Sequence, residues 1–232
     1  MAEPALEGVR LIVFAKLPIP GEVKTRLAES VGTEKAAALY RAWVPSFLET
    51  LVGLGERFSI EVCVARPEGG FPTDDETLAR SRIWLPYPVD FSLQEGAGLG
   101  ERLRIAFGRV FESGWTKVLI FGSDSPQLTT GDMEANLRLL DGHDLSLGPA
   151  EDGGYYAIGL SRPPGELFEK VRWSGPHTLA DTEEAARAMG WTVAFGPQHY
   201  DIDTFEDLNR LIRSDPERWT SLQGILNGGP SG

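Results

Sequence analysis

The chain has 232 residues, of which 41% are hydrophobic and 24% charged, and its formal net charge at pH 7 is −12. This composition is typical of a soluble globular protein, and the acidic balance argues against nucleic acid or an anionic membrane as the main partner. At this length one large domain is more common than two. We expect a domain over residues 1–213 and a C-terminal extension over residues 214–232 whose end is flexible.

The cysteine content and the N-terminus favour a cytoplasmic location. Cys63 is the sole cysteine, so no internal disulfide can form, and its apolar neighbours indicate a small buried side chain. The opening stretch MAEPALEGVR lacks the basic and apolar segments of a signal peptide. No apolar run approaches the roughly 18 residues that a membrane-spanning helix needs, so we expect no membrane insertion. The sequence gives no sign of the oligomeric state.

Short apolar runs predict seven strands in chain order. Two of them, SIEVCVA and KVLIFG, are rich in the β-branched and aromatic residues that strands prefer. The predicted strands are 9–15, 59–65, 82–85, 117–122, 144–149, 155–160 and 191–195.

Longer segments with helical spacing lie between these runs. The first opens at Thr33, a good N-cap, and we expect Pro45 to bend or split it. The last is expected to be capped by Thr204 and has acidic residues in its first turn. The predicted helices are 33–55, 100–114, 129–140, 176–190 and 204–214.

The alternation of strands and helices favours an α/β sandwich with a mostly parallel central sheet. Such sheets bind ligands beyond the carboxyl ends of their strands. The loops that follow the strands are therefore the candidate sites.

The loop after the first strand, in LIVFAKLPIPGEVKTRL, combines a rigid turn with positive charge. Two prolines stiffen it, and Gly21 lets the backbone turn or approach a ligand closely. It is neither a Walker loop, because Val23 precedes the Lys-Thr pair, nor a dinucleotide fingerprint, because it holds one glycine. Cations at the rim of a sheet suit phosphate, so we interpret the loop as phosphate-binding. These cations are Lys16, Lys24 and Arg26.

Acidic residues follow two later strands. Asp124, in KVLIFGSDSPQL, stands where a carboxylate could hold Mg²⁺, although capping the next helix or stabilising a turn explains it equally well. Asp152, in GPAEDGGYYAIGL, lies beside the bare backbone of Gly153 and Gly154 and could act as a general base toward a hydroxyl. The residues alone favour a hairpin turn for this second segment. Tyr155 or Tyr156 could stack on a ring, although alternating aromatic residues in a strand are more typical of core and rim positions.

The segment HYDIDTFEDL adds a third acidic group. We expect Asp201 and Asp203 to face opposite sides, with one of them meeting Asp124, while Asp207 serves the start of the following helix. None of the three histidines forms a pair with metal-ligand spacing, and His177 at a helix start is typical of a structural residue.

Five ordered segments carry a family resemblance, and they span roughly Val9 to Leu211: FAKLPIPGEVKTRL, FGSDSPQL, GPAEDGGYYAIGL, RWSGPHTLADT and DIDTFEDL. The chain resembles a bacterial family assigned as glycosyltransferases, formerly a domain of unknown function and also called radical-SAM/selenodomain-associated transferase. It is more distantly similar to molybdenum-cofactor and phospholactate guanylyltransferases. The resemblance implies the nucleotide-diphospho-sugar transferase fold, called GT-A, as a single-domain three-layer sandwich.

The resemblance also implies site residues. It assigns the metal, Mg²⁺ or Mn²⁺, to Asp124 and Asp203, with Asp201 as the weaker candidate. Trp173 and Ser174 match the family and join Gly153, Gly154 and Tyr155 in the acceptor region. Nucleotide and phosphate binding is assigned to Lys16, Gly21, Lys24, Arg26, Gln94, Gly98, Gly100 and Arg102.

Three functions are compatible with these residues. The favoured one is sugar transfer from a nucleotide-diphospho-sugar to a small acceptor, with Asp152 as the base. The alternative is a nucleotidyltransferase that joins a nucleoside triphosphate to a phosphorylated small molecule, with Arg162 and Arg172 near the acceptor phosphate. The guanylyltransferases open with a glycine-rich loop that this chain lacks, which favours sugar transfer. The third is a nucleotide-binding module without turnover.

Overall fold

A computed structural model describes residues 8–55, 58–68 and 73–228. These residues form seven strands in one sheet, with eight helices around it. The strands are β1 (Val9–Lys16), β2 (Ser59–Ala65), β3 (Asp90–Leu93), β4 (Lys117–Gly122), β5 (Leu145–Pro149), β6 (Tyr155–Leu160) and β7 (Val193–Phe195). The helices are α1 (Thr25–Val31), α2 (Thr33–Val52), α3 (Asp74–Trp84), α4 (Leu99–Glu112), α5 (Thr130–Leu139), α6 (Thr178–Ala188), α7 (Phe205–Ser214) and α8 (Thr220–Asn227).

The strand order in the sheet is β3-β2-β1-β4-β6-β5-β7. Strand β1 pairs in parallel with β2 on one side and with β4 on the other, so Val13 lies between Val62 and Phe121. Among the described strands, β6 alone is reversed, because it pairs antiparallel with both β4 and β5. The carboxyl ends of β1 and β4 therefore meet at one edge, and the start of β6 joins them there.

Helices cover both faces of the sheet, as the α/β prediction requires. Along β1, Leu11 and Val13 enter one hydrophobic cluster with α2, α5, α7 and α8, while Ile12 enters a second cluster with α4 and α6. Successive side chains of a strand point to opposite faces, so a strand buried on both faces is apolar throughout. The predicted three-layer sandwich with a mostly parallel sheet is confirmed.

Helix α2 runs without a break through Pro45, where we expected a bend or a split. Proline has no N–H to donate to the carbonyl four residues earlier, and here that carbonyl belongs to Arg41. The indole N–H of Trp84 donates to the Arg41 carbonyl oxygen at 3.1 Å, and Tyr87 donates its hydroxyl to the carbonyl of Pro45 at 3.2 Å. Partners from outside the helix thus satisfy the groups around the proline.

One element prediction was wrong, and it concerns one edge of the sheet. Residues 82–85 do not form a strand, because the segment up to Trp84 belongs to α3, whose Thr73 cap accepts from the amide of Glu76. The edge strand is instead β3, which pairs in parallel with β2. Helices α1, α3 and α8 were not predicted, and the cap of α2 is Gly32 rather than Thr33.

The C-terminal residues pack on the domain. Trp219 and Leu222 are buried in the same hydrophobic cluster as α2, so the chain continues to build the core after residue 213. Residues 229–232, which include the end expected to be flexible, lie outside the described part of the chain. Within the described part, no helix combines the length and the apolar character that crossing a bilayer requires.

Candidate active site

A cavity of about 530 Å³ opens at the carboxyl ends of β1 and β4, where open α/β sheets bind their ligands. We call it the donor cavity. Its lining includes the first loop, the segment after β4, the start of α4 and the segment before α7. Nine of the predicted site residues line it: Lys16, Lys24, Arg26, Gln94, Arg102, Asp124, Tyr155, Ser174 and Asp203.

The Lys24 ammonium forms ion pairs with both of the carboxylates that the sequence suggested as metal ligands. Its ammonium Nζ lies 2.7 Å from Asp124 Oδ1 and 3.1 Å from Asp203 Oδ1, and its side chain is 5% exposed. The backbone of Lys24 is left-handed, with φ of 50°, and stands directly before α1. A non-glycine residue in that conformation is uncommon, and here it aims the side chain into the cavity.

The carboxylate partners of Lys24 raise the pKa of its ammonium group. Burial by itself would lower the pKa of this ammonium, but the charges of Asp124 and Asp203 outweigh it, so the pKa lies above its usual value of 10.5. Arg26, an exposed residue, donates to the other oxygen of Asp203 at 3.2 Å. Two of the cations predicted to hold phosphate, Lys24 and Arg26, therefore contact the acids predicted to hold metal.

Asp201 also lines the donor cavity, beside Asp203. Our expectation that these two residues face opposite sides was wrong. In an extended segment residues two apart share a side, and here Ile202 between them is fully buried while its amide donates to the Asp124 carbonyl oxygen at 2.8 Å. Burial, and then the charge of Asp124, raise the pKa of Asp201 to about 6, although a hydrogen bond from the Ser125 hydroxyl opposes the shift.

The opposite wall of the donor cavity is built from α4 and the residues before it. The buried amide of Gln94 donates to the carbonyl oxygens of Cys63 at 2.9 Å and Ala15 at 3.3 Å, so it ties the ends of β1 and β2 together. Arg102 donates to Gly96 O at 3.1 Å and Gln94 Oε1 at 3.5 Å, and so presents a cation to the cavity. This wall is neutral or positive.

A second recess of about 460 Å³ adjoins the donor cavity and shares part of its lining, including Arg26 and Asp203. We call it the acidic recess. Asp152 and Gly154 line it, and Asp152 Oδ1 accepts from the Gly154 amide at 2.8 Å, as in the turn that the residues alone favoured. Asp201 lines it as well, so three carboxylates and a single cation carry its charge.

Ser174 lines both cavities from a strained backbone position, with φ of 61°. The flanking residues pack against glycines. A Cβ at Gly100 would lie 2.6 Å from the Trp173 indole, and one at Gly153 would lie 2.3 Å from the Pro176 carbonyl oxygen. These glycines let the segment 173–176 approach α4 and the β5–β6 turn closely, which places Ser174 between the two cavities.

Five predicted site residues line neither cavity: Gly21, Gly98, Gly100, Gly153 and Trp173. Gly21 has φ of 84° and a Cβ there would meet nothing within 4 Å, so its conformation rather than a close approach explains it. Gly98 is the extended N-cap of α4. The remaining three pack behind the lining, as described for the segment 173–176.

Tyr40 and Ser123 line the donor cavity but were not predicted. The Tyr40 hydroxyl lies 2.7 Å from Ser123 Oγ and accepts from the Lys16 amide at 3.1 Å, so it links α2 to the ends of β1 and β4. Burial, and then the charge of Asp124, raise the pKa of Tyr40 to about 12. In the sequence Tyr40 has the spacing of a helix core residue, and no motif distinguishes it.

The two arginines considered for an acceptor phosphate are placed elsewhere. Arg172 is committed to Asp181 through two hydrogen bonds of 2.8 and 2.7 Å. Arg162 follows the reversed strand β6, at the edge opposite to the cavities, and pairs with Asp144 at 3.2 Å. Neither lines a cavity.

The carboxylates of Asp124 and Asp203 are hard oxygen ligands of the kind that Mg²⁺ and Mn²⁺ prefer, and both face the donor cavity. Their chemistry fits such a cation, and the Lys24 ammonium already forms an ion pair with each of them. Across residues 8–55, 58–68 and 73–228, no three His, Cys, Asp or Glu side chains are grouped closely enough to form a metal cluster by themselves. Phosphate oxygens of a bound nucleotide would have to complete the coordination.

Comparison with known proteins identifies the family. Residues 56–175 match DUF2064, a family described as uncharacterized protein conserved in bacteria. The chain belongs to this family. The match supports the resemblance stated from the sequence motifs.

Two relatives cover most of the chain. A 3-phospho-D-glycerate guanylyltransferase from Phenylobacterium zucineum (strain HLK1) is 28% identical over 205 residues, which is 85% of this chain and 88% of the relative. The crystal structure of a candidate nucleotide-diphospho-sugar transferase from Desulfovibrio desulfuricans G20 is 33% identical, covers 94% of each chain and has a TM-score of 0.82. This DUF2064 member therefore belongs to the superfamily of nucleotidyl and nucleotide-sugar transferases, and its relatives support transferase activity.

A third comparison shows the fold alone. Rv0371C of Mycobacterium tuberculosis H37Rv, in complex with manganese, is 16% identical, has a TM-score of 0.53 and covers 89% of this chain and 99% of its own. The GT-A type of fold predicted from the motifs is thus shared with several solved structures.

Proposed function

We propose that this protein transfers a sugar from a nucleotide-diphospho-sugar to a small acceptor, with a divalent cation at Asp124 and Asp203. The observation that carries the proposal is the division of charge between the two cavities. Lys16, Lys24, Arg26 and Arg102 line the donor cavity and balance its four acidic residues, whereas Arg26 is the one cation beside three carboxylates among the residues that line the acidic recess. A diphosphate suits the first, and the hydroxyl groups of a sugar or a neutral acceptor suit the second.

In this proposal the chain's own residues hold the diphosphate and orient the acceptor. Lys24 and Arg26 move their charge from the aspartates to the phosphate oxygens, and Lys16 adds charge from the end of β1. Mg²⁺ or Mn²⁺, when bound, would neutralise charge on the departing nucleoside diphosphate. Asp152, in the acidic recess, takes the proton of the acceptor hydroxyl.

The second candidate is nucleotidyl transfer, and the guanylyltransferase relative favours it. That relative is similar to this chain over most of both chains. This similarity weakens the argument that the absence of a glycine-rich loop speaks against nucleotidyl transfer. Since Arg162 and Arg172 do not reach the cavities, Arg26 would have to meet an acceptor phosphate. The carboxylates of the acidic recess would oppose such an acceptor.

The released product separates the two candidates. With Mn²⁺ present, the purified protein is incubated with a panel of nucleotide-diphospho-sugars and small hydroxyl acceptors, and in parallel with nucleoside triphosphates and 3-phospho-D-glycerate. We expect release of nucleoside diphosphate from a sugar donor, reduced at least about 10²-fold in Asp124→Asn and Asp203→Asn. Asp75→Asn, which alters an exposed acid of α3 outside both cavities, is the charge-matched control.

Pyrophosphate release from a triphosphate would instead establish the second candidate. Nucleotide binding without either product across both panels would favour a binding module. Full activity in both aspartate variants would refute the proposed metal site.

A further inference from the structure

Lys24 stands between the two carboxylates that the proposed function assigns to a divalent cation. Its ammonium contacts Asp124 Oδ1 at 2.7 Å and Asp203 Oδ1 at 3.1 Å, while Arg26 takes the second oxygen of Asp203 at 3.2 Å. A divalent cation held by Asp124 and Asp203 would therefore lie close to the Lys24 charge.

The position of Lys24 is built by the fold rather than by chance contact on a surface. Its side chain is 5% exposed, and its ammonium lies 5.6 Å from the centre of the buried Trp43 ring. Its backbone holds φ of 50° and ψ of 46°, and its carbonyl accepts from the Ala28 amide at 2.8 Å to open α1. A strained backbone persists where the surrounding structure holds it in place, and such positions cluster at functional sites.

Electrostatics makes the two cations exclusive. Two positive charges about 4 Å apart repel each other strongly at the effective dielectric near a protein surface, and a divalent ion doubles this repulsion. Either the ammonium or the divalent ion can be neutralised by the pair of carboxylates, but not both together.

We propose that Lys24 is a tethered counter-ion that blocks divalent cations from Asp124 and Asp203 until nucleotide phosphates draw its ammonium away. The proposal rests on the proposed use of this site by a divalent cation and a nucleotide. It predicts an order of binding, in which the nucleotide arrives before the metal or together with it. The site thereby keeps its charge balanced in the absence of nucleotide, and free metal is not bound on its own.

The test measures Mn²⁺ affinity directly, by electron paramagnetic resonance of the free ion, and needs no turnover. Wild type, Lys24→Gln and Lys16→Gln are titrated with Mn²⁺ alone and then with saturating GDP or UDP. Lys16→Gln removes the same charge from the same cavity without touching either aspartate, so it reports the general effect of charge.

We expect Mn²⁺ without nucleotide to bind Lys24→Gln at least about tenfold more tightly than wild type, and Lys16→Gln to gain less than about threefold. Nucleotide should raise the Mn²⁺ affinity of wild type, and this increase should shrink in Lys24→Gln. Adding Asp124→Asn to Lys24→Gln should abolish the gain. Lys24→Arg, which keeps the charge, should bind Mn²⁺ alone as weakly as wild type.

Loss of Lys24 leaves neighbouring carboxylates without a counter-ion, so Lys24→Gln could unfold at a lower temperature. Its melting temperature should then rise on addition of Mn²⁺, while that of wild type stays unchanged. Affinity for Mn²⁺ in folded Lys24→Gln equal to or below that of wild type would overturn the inference. A tenfold gain in the Mn²⁺ affinity of Lys24→Gln, together with no transferase activity in wild type, would uphold the inference and count against the proposed function.

Discussion

At the scale of single residues, the two cavities depend on residues with a left-handed backbone conformation and on glycines, which have no side chain. Lys24 and Ser174 hold left-handed backbone conformations that expose their side chains to the donor cavity. Gly100 is buried against the Trp173 ring. The sequence identified all three as site residues, but for Gly100 it assigned a contact with nucleotide instead of a supporting contact with an indole.

Gly100→Ala tests this supporting contact. The new methyl group would lie 2.6 Å from two indole atoms of Trp173, so the ring and the adjoining Ser174 must move. We expect a loss of about 1–3 kcal/mol in the free energy of unfolding, measured by urea denaturation. Gly108→Ala, in the same helix with no atom within 4 Å of its new methyl, should leave stability unchanged or raise it. Equal losses in both variants would contradict the role of Trp173.

At the scale of elements, buried polar contacts fix the edge of the sheet that the sequence predicted least well. Glu61 of β2 is 1% exposed and accepts from Arg10 of β1 at 2.8 Å, and it also contacts Ser92 of β3 and Arg109 of α4. Burial alone would raise the pKa of Glu61, but hydrogen bonds from Ser92 and Arg10 and the charge of Arg109 hold it below its ordinary value of 4.5.

Glu61→Gln tests this polar contact between elements. Because the folded-state pKa is depressed, Glu61 stabilises the fold fully above pH 4.5 and loses this effect as the pH falls through its folded-state pKa. We expect the variant to lose about 3 kcal/mol at pH 7 and less at pH 3.5, by urea denaturation. Glu169→Gln, at an exposed position, is the control. A loss that does not depend on pH would show that packing rather than charge is involved.

Helix α2 provides a second test at this scale. Trp84→Phe removes the indole donor and leaves the Arg41 carbonyl, already freed by Pro45, without its partner from α3. We expect a loss of about 0.5–1.5 kcal/mol in the wild-type background. In a Pro45→Ala background the loss should be smaller, because the introduced alanine supplies the missing N–H. Additive effects in this double-mutant cycle would contradict the explanation given for the unbroken helix.

At the scale of the whole molecule, the core continues to the last described helix. Trp219 is 2% exposed and packs in the cluster that also holds α2 and β1. Trp219→Ala should therefore cost about 3–5 kcal/mol, measured by urea denaturation. Ser221→Ala, an exposed neighbour, is the control. A cost below about 1 kcal/mol would mean that residues 214–228 are a separate extension, as the sequence suggested.

The sequence by itself determined the fold class, five of the eight helices and six of the seven strands within the described residues. Apolar runs and helical spacing are local signals, and they are strong where an element is buried, as in β1, β2 and β4. The short edge strand β3 is only partly buried and begins with an acid, so its pairing with β2 had no local signature.

The tertiary structure alone decided how the candidate site is assembled. The residue types predicted that Lys24, Asp124 and Asp203 belong to the site, but they did not predict that these residues contact one another. The three residues are separated by up to 179 positions in the chain. That contact exists because parallel strands bring the ends of β1 and β4 to one edge, and the burial of Ile202 turns both neighbouring aspartates toward them. Sequence patterns record what each side chain can do, whereas long-range packing fixes which charges meet.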